Sequence, residues 1–261
     1  MRLRRSIILV AVLAASAAIT LSAGAERLVL SISRHQVMVT SSFTGTQIVL
    51  FGTIEPDRPG ARLRNSYDLV ATVVGPRQTA VTRRKERVVG IWANVASRTF
   101  VNVPTYLAIM SNRPFEEIAE TDLLRRQQVG LDYFVLTQQV GSDLADTVRD
   151  DPFRMNFIRL KKEHSLYAET TNGVTFLTPT VFRAEIPVPA EAPFGNYDVE
   201  VKVFSERALL VRNTTAFEIV KAGFEQFVAN AARDYSFLYG LFAAAMAIAT
   251  GWFASVVFRR D

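Results

Sequence analysis

The chain holds two histidines, His35 and His164, and no cysteine. Imidazole is the side chain that most readily exchanges a proton near neutral pH, and with thiolate it makes up most zinc sites. Neither histidine stands in a His-x-x-x-His or His-Glu-x-x-His spacing. His35 falls in Ser33-Arg34-His35-Gln36, read as a turn between strands. His164 closes a helix after Lys161-Lys162-Glu163, where a cation suits the helix dipole. Both read as surface residues. The lack of cysteine excludes disulfides, thiol–disulfide exchange, Cys-ligated zinc, haem attachment through Cys-x-x-Cys-His and a lipoprotein anchor. No Gly-x-Ser-x-Gly elbow and no phosphate-cradling glycine loop is present.

Carboxylates are the remaining candidates. Asp143, Asp146, Asp150 and Asp151 form a loose acidic group. A calcium loop needs oxygen ligands at set intervals around a sharp, usually glycine-containing turn, and Asp143-Leu-Ala-Asp146 does not supply them. These acids read as helix-start residues, and Glu55-Pro-Asp57 as an ordinary turn. Asn213-Thr214-Thr215 fits the glycosylation triplet, which chance supplies often. Arg83-Arg84-Lys85-Glu86-Arg87 is a basic run that reads as a solvated turn between strands, with lipid headgroups or an anionic ligand as the other reading. The sequence therefore assigns no catalytic, cofactor-binding or metal residue.

The elements around these residues are mostly strands. Leu28, Leu30 and Ile32 alternate with partly polar neighbours, residues 47–54 are apolar on both faces as in a central strand, and 67–74 and 87–95 read the same way. Residues 100–110 are apolar but interrupted at Pro104. Residues 115–129 read as a helix, with Glu116 and Glu117 early, Arg125 and Arg126 late and Gly130 as the stop. A second helix is expected from about Asp151-Pro152 to His164, with Pro152 at its first position. The β pattern returns with Phe182, Ala184, Ile186 and Val188. It is cleanest where Tyr197, Val199, Val201 and Val203 take one face and Asp198, Glu200 and Lys202 the other. The Gly195-x-Tyr197-x-Val199-x-Val201 run is common in immunoglobulin-like sandwiches. The expected fold is mainly β: immunoglobulin-like antiparallel β-sandwich lobes with a helical insertion, plus one C-terminal transmembrane α-helix.

Both ends of the chain read as topogenic. Met1-Arg-Leu-Arg-Arg5 is a basic n-region, 7–21 is apolar, and Ala23 and Ala25 are the small residues that a signal peptidase reads. An uncleaved N-terminal anchor is the alternative. Residues 236–258 are uncharged and apolar, long enough for a hydrocarbon core of ~30 Å. They end in Arg259-Arg260-Asp261, and arginine is retained on the cytoplasmic side. The expected division is a signal peptide at 1–25, a first β-sandwich-like region at 26–112 and a helical segment at 113–166. A second β-rich region follows at 167–220, then a juxtamembrane amphipathic helix at 221–235, the transmembrane helix at 236–258 and a cytoplasmic tail at 259–261. The amphipathic helix rests on Phe224, Phe227, Val228 and Ala231 at i, i+3, i+4, i+7 spacing. The expected location is the inner (plasma) membrane, single-pass, with the N-terminal domain periplasmic and the C-terminus cytoplasmic.

Charge follows the same division. The formal net charge is +5. Arg2, Arg4 and Arg5 supply three of those charges and the tail a net one, which leaves about +1 for the exported part. The basicity is topogenic and gives no argument for nucleic-acid binding. Within the span, Ala243, Ala247, Gly251 and Ser255 recur every four residues, opposite Phe242, Met246, Phe253 and Val257. A stripe of small residues lets a second helix approach closely in lipid, where dispersion and backbone contacts hold helices together.

Lys221-Ala-Gly-Phe-Glu-Gln-Phe, Tyr239-Gly240, Gly251-Trp252 and Phe258-Arg259-Arg260 resemble the alphaproteobacterial transmembrane protein family of the Alph_Pro_TM type. Phe51-Gly52 with Glu55, the basic run 83–87 with Gly90-Ile-Trp92, Phe100-Val-Asn-Val-Pro104 and Gly195-Asn-Tyr197 are similar to the same family. The resemblance implies a periplasmic domain on one C-terminal anchor, with no defined functional residues. It also implies genomic association with sulfite-exporter-type permeases. The sequence points to a membrane-anchored periplasmic protein, leaning non-enzymatic, that contacts the lipid bilayer and serves as a binding or accessory subunit for a membrane partner such as a transporter. The alternative is an envelope enzyme, a carboxylate-based hydrolase with two acids facing each other across a cleft.

Overall fold

The computed structural model describes residues 26–40, 42–57, 63–223, 228 and 232–257. Among the described residues, fourteen strands form three sheets, two of which close a sandwich, and four helices accompany them. The outer sheet has the order β1 (Glu26–Ile32), β3 (Gly45–Pro56), β12 (Val181–Pro189), β11 (Val174–Phe176). The central sheet has the order β10 (Tyr167–Thr170), β7 (Leu107–Ser111), β4 (Asp68–Val74), β13 (Gly195–Ser205), β14 (Ala208–Lys221), β2 (Gln36–Val39). Most pairs are antiparallel; β7–β10 and β14–β2 are parallel.

Alternation along the strands builds the sandwich core. Ile48, Leu50 and Ile54 of β3 and Phe182, Ala184, Ile186 and Val188 of β12 turn inward, in register as Ile48–Ile186 and Leu50–Ala184. They meet Leu69, Ala71 and Val73 of β4 and Tyr197, Val199, Val201 and Val203 of β13. The outer sheet is buried on this face alone: β3 is central by pairing, yet Phe51 is exposed. The expectation of burial on both faces holds instead for β4. Its Val70 turns to a second core with Leu107, Ile109 and Phe204. The stretches 26–112 and 167–220 share both sheets, since β3 pairs with β12 and β4 with β13.

The second core is roofed by residues 113–166. The helix expected over 115–129 is two short ones, α1 (Phe115–Ile118) and α2 (Thr121–Arg126), parted by extended backbone at Ala119 and Glu120. A continuous helix turns about 100° per residue, which would set Phe115 and Leu124 on opposite sides. The break lets both reach the same core. α3 (Pro152–Glu163) runs as expected and buries Phe157 against Phe100 and Tyr167.

The third sheet has the order β5 (Arg77–Val88), β6 (Ile91–Pro104), β8 (Thr137–Val140), β9 (Asp143–Asp146). Residues 87–95 are therefore the end of an exposed ribbon and not a buried strand. Separately, α4 (Ser236–Val257) is the one helix, among the described residues, long and apolar enough to cross a membrane, and none of that window is buried within the chain. Ala23, Ala25, the tail, and Phe224, Phe227 and Ala231 of the segment read as a juxtamembrane helix lie outside the described residues.

Candidate functional site

The polar groups inside the domain hold the fold together. Arg154 is buried and donates to the carbonyls of Arg149, Leu131, Asp132 and Phe134, which pins the loop that roofs the second core. Burial pulls its pKa below the ordinary guanidinium value. Lys202, read from alternation as an exposed strand residue, is buried between the Glu200 carboxylate at 2.9 Å and the Gln127 carbonyl at 2.9 Å. Gln127, in the segment 113–166, lies over that face of the sheet, which strand periodicity alone does not reveal. Tyr197 Oη donates to the Pro193 carbonyl at 2.6 Å, and its ring stacks on Phe217. A tyrosine bonded in this way to a carbonyl four residues upstream resembles the tyrosine corner found in immunoglobulin-like sandwiches.

The residues singled out for chemistry remain scattered. His164 Nδ1 lies 2.8 Å from Glu191 Oε2 on the surface, and His35 is exposed between β1 and β2. Among the described residues no group of three or more His, Asp or Glu is placed to hold a metal. Asp151 caps α3, accepting from the amides of Phe153 and Arg154 at 2.8 and 3.1 Å. Asp143 and Asp146 correct the helix-start reading, because they lie on strand β9, where Thr137 Oγ1 donates to Asp146. The carboxylates of Asp132, Glu185 and Glu200, each lining a surface cavity, are paired with Arg149, Arg183 and Lys202. The Asn213 amide donates to the Leu28 carbonyl at 2.7 Å and so has a structural task.

Two apolar surfaces stand apart from this self-contained interior. The first is α4. Ala243, Ala247, Gly251 and Ser255 are all exposed, and a Cβ added at Gly240 or Gly251 would meet nothing within 4 Å. Phe242, Met246 and Phe253 are exposed elsewhere on the helix.

The second is the β5–β6 ribbon, whose strands are 12 and 14 residues long. Its root is fixed: the Thr105 amide donates to the Pro76 carbonyl at 2.8 Å and the Gly75 amide to the Tyr106 carbonyl at 2.9 Å. Its middle is braced where Phe100 and Val101 pair with β8 and where Arg98 reaches Gln138, Asp151 and the Phe153 ring. A groove of about 240 Å³ runs between Thr82, Arg83, Arg84 and Lys85 of β5 and α3. Beyond Lys85–Asn94 the two strands pair only with each other. There Val88, Val89, Ile91 and Trp92 are exposed, Trp92 by 70% and Val89 by 97%. The basic run is strand and not turn; the chain reverses at Val89 and Gly90, with φ of 49° and 85°. The run is polar enough to suggest a loop, and only its pairing with 91–98 shows that it is extended.

Comparison with known proteins adds the family. The family model described as Putative transmembrane protein (Alph_Pro_TM) matches residues 27–260. The chain belongs to this family. A membrane anchor is thus a family property and is matched here by α4. No curated protein matches the chain. Among solved structures, the N-terminal domain of the Streptococcus gordonii adhesin Sgo0707 is similar at 9% identity and a TM-score of 0.27, over 74% of this chain and 32% of that one. The chain thus spans about a third of that structure's length.

Proposed function

We propose that this protein is a membrane-anchored periplasmic accessory subunit with no catalytic centre of its own, and that its anchor helix packs against the helices of an integral membrane partner. A transporter is the partner class, and the sulfite-exporter-type permease is the specific candidate through family association. The observation that carries the reading is α4: an apolar helix, none of it covered by its own chain, that presents Ala243, Ala247, Gly251 and Ser255 as one stripe. Lipid tails are as apolar as leucine, so a helix in the bilayer gains by association through close backbone approach, which small residues permit. For the alternative of a carboxylate hydrolase, one pair of acids sharing a surface cavity is Asp132 and Asp150, and Asp132 is engaged by Arg149.

Purification of the tagged full-length protein from native membranes in mild detergent tests this. A polytopic transporter should co-purify with the wild type and be lost from Ala247→Leu and Gly251→Leu. Recovery of the bait alone from wild type and variants alike contradicts the reading.

A further inference from the structure

We propose that the tip of the β5–β6 ribbon seats in the headgroup region of an anionic phospholipid bilayer, giving the domain a second attachment to the membrane that α4 already enters. The tip combines the two features of an interfacial anchor. Val88, Val89, Ile91 and Trp92 are exposed at its end, and tryptophan is favoured at the membrane–water interface because its ring is apolar and its N–H is not. Immediately behind them stand Arg83, Arg84, Lys85 and Arg87, against the single acid Glu86. Arg84 is paired with Glu86 at 2.9 Å, which leaves an excess of cations facing outward. Each Lys or Arg brought to an anionic leaflet tightens attachment by roughly fivefold, and the gain fades within a Debye length.

The register of the sheet places this tip's support at the membrane-proximal end. Val74 pairs with Asp198 and Leu107, and Gly195 pairs with Ile219, two residues before β14 ends at Lys221. Gly195 packs on Pro76, which leads into β5, so closely that a Cβ there would come within 2.8 Å of the proline ring. The ribbon therefore roots at the same end of the central sheet from which the chain leaves for the anchor. At about 3.3 Å per residue its strands are some 40 Å long. The turn supplies an independent sign. Val89 is β-branched, sits at φ 49°, and is almost wholly exposed, a conformation and exposure for which asparagine or glycine is the ordinary choice. Strain that an isolated turn would not keep marks a segment shaped for a contact.

The inference needs only the membrane anchor and not a protein partner for α4, so the two readings fail separately. The chain has two tryptophans, and Trp252→Phe leaves Trp92 as the sole emitter. This full-length variant is reconstituted into nanodiscs of phosphatidylcholine with or without phosphatidylglycerol, each containing lipid with a quencher near the headgroup. With phosphatidylglycerol, Trp92 emission should shift to the blue and be quenched at least twofold. Raised salt, or replacement of Arg83, Arg84, Lys85 and Arg87 by glutamine, should reverse both effects. Water-like, unquenched emission in both bilayers overturns the proposal. So does equal quenching without the anionic lipid, or shielding of Trp92 only in native membranes with a co-purifying protein.

Discussion

Arg87 and Trp92 are register partners across the ribbon, one rung below the closing pair Val88–Ile91. Directly opposite residues of an antiparallel pair share one face, so a guanidinium and an indole stand side by side on an otherwise unpartnered strand pair. A two-stranded ribbon is marginal on its own in water. This one is held by its root and by β8, and its free end gathers the exposed apolar groups that a solvated hairpin would exclude.

The strained turn gives a prediction in which stability and attachment move oppositely. Val89→Asn creates Asn-Gly, the preferred pair for a turn with positive φ at both positions. Relief of the left-handed strain should stabilise the folded chain by about 1 kcal/mol. The same change removes an apolar contact and should weaken quenching of Trp92 by headgroup-labelled lipid. Denaturant unfolding and the quenching assay on one preparation check both.

Arg154 holds the roof of the second core, so Arg154→Met should be severely destabilising without touching the ribbon tip. Its loss leaves the buried carbonyls of Leu131 and Phe134 without a donor, and each such group costs about 1–3 kcal/mol. Arg154→Lys should recover only part, since an ammonium cannot fork across several carbonyls. Thermal unfolding should rank wild type above Lys above Met; equal melting temperatures would contradict this role.

Close approach of the sheet to its own core is concentrated at Gly52. A Cβ there would lie 2.3 Å from Cζ of Phe182, its register partner. Gly52→Ala should cost about 1–3 kcal/mol through overpacking. Gly52→Ala combined with Phe182→Leu should recover part of the loss, a coupling that a double-mutant cycle reads directly.

The aromatic centre predicts an alkaline limit. Burial raises the phenol pKa of Tyr106 and Tyr197 above the ordinary value. In the unfolded chain they ionise at about 10. The folded value being higher, the unfolded state gives up protons first as pH rises. Stability is therefore complete below about pH 10 and declines as pH climbs toward the folded value. Near-ultraviolet phenolate absorbance should show a fraction of tyrosines that titrate only with unfolding. Ionisation of every tyrosine near ~10 with the fold intact would contradict the buried pair.

Much of the sandwich was legible in the sequence because alternation carries directional information. Leu28, Ile32, Phe182 to Val188 and Tyr197 to Val203 point where period two says they point. Three readings depended on what packs against an element and not on the element itself. Residues 87–95 are as apolar as β4, yet nothing covers them. Lys202 alternates as a surface residue, yet Gln127 closes over it. Residues 115–129 have helix composition, yet one helix could not turn both Phe115 and Leu124 inward. The small-residue stripe of α4 was legible from spacing alone, whereas the ribbon tip became visible only when its pairing was known.

In the proposed function α4 binds a different membrane protein along that stripe. The chain lacks cysteine, so single substitutions Ala243→Cys, Ala247→Cys and Gly251→Cys, with Phe242→Cys and Phe253→Cys as controls, report position without background. Each thiol is alkylated with a maleimide that carries a photoreactive diazirine, and irradiation of native membranes should insert the carbene into another protein at the three stripe positions and not at the controls. Absence of adducts, equal adducts all round the helix, or a product of twice the chain's own mass would contradict the claim.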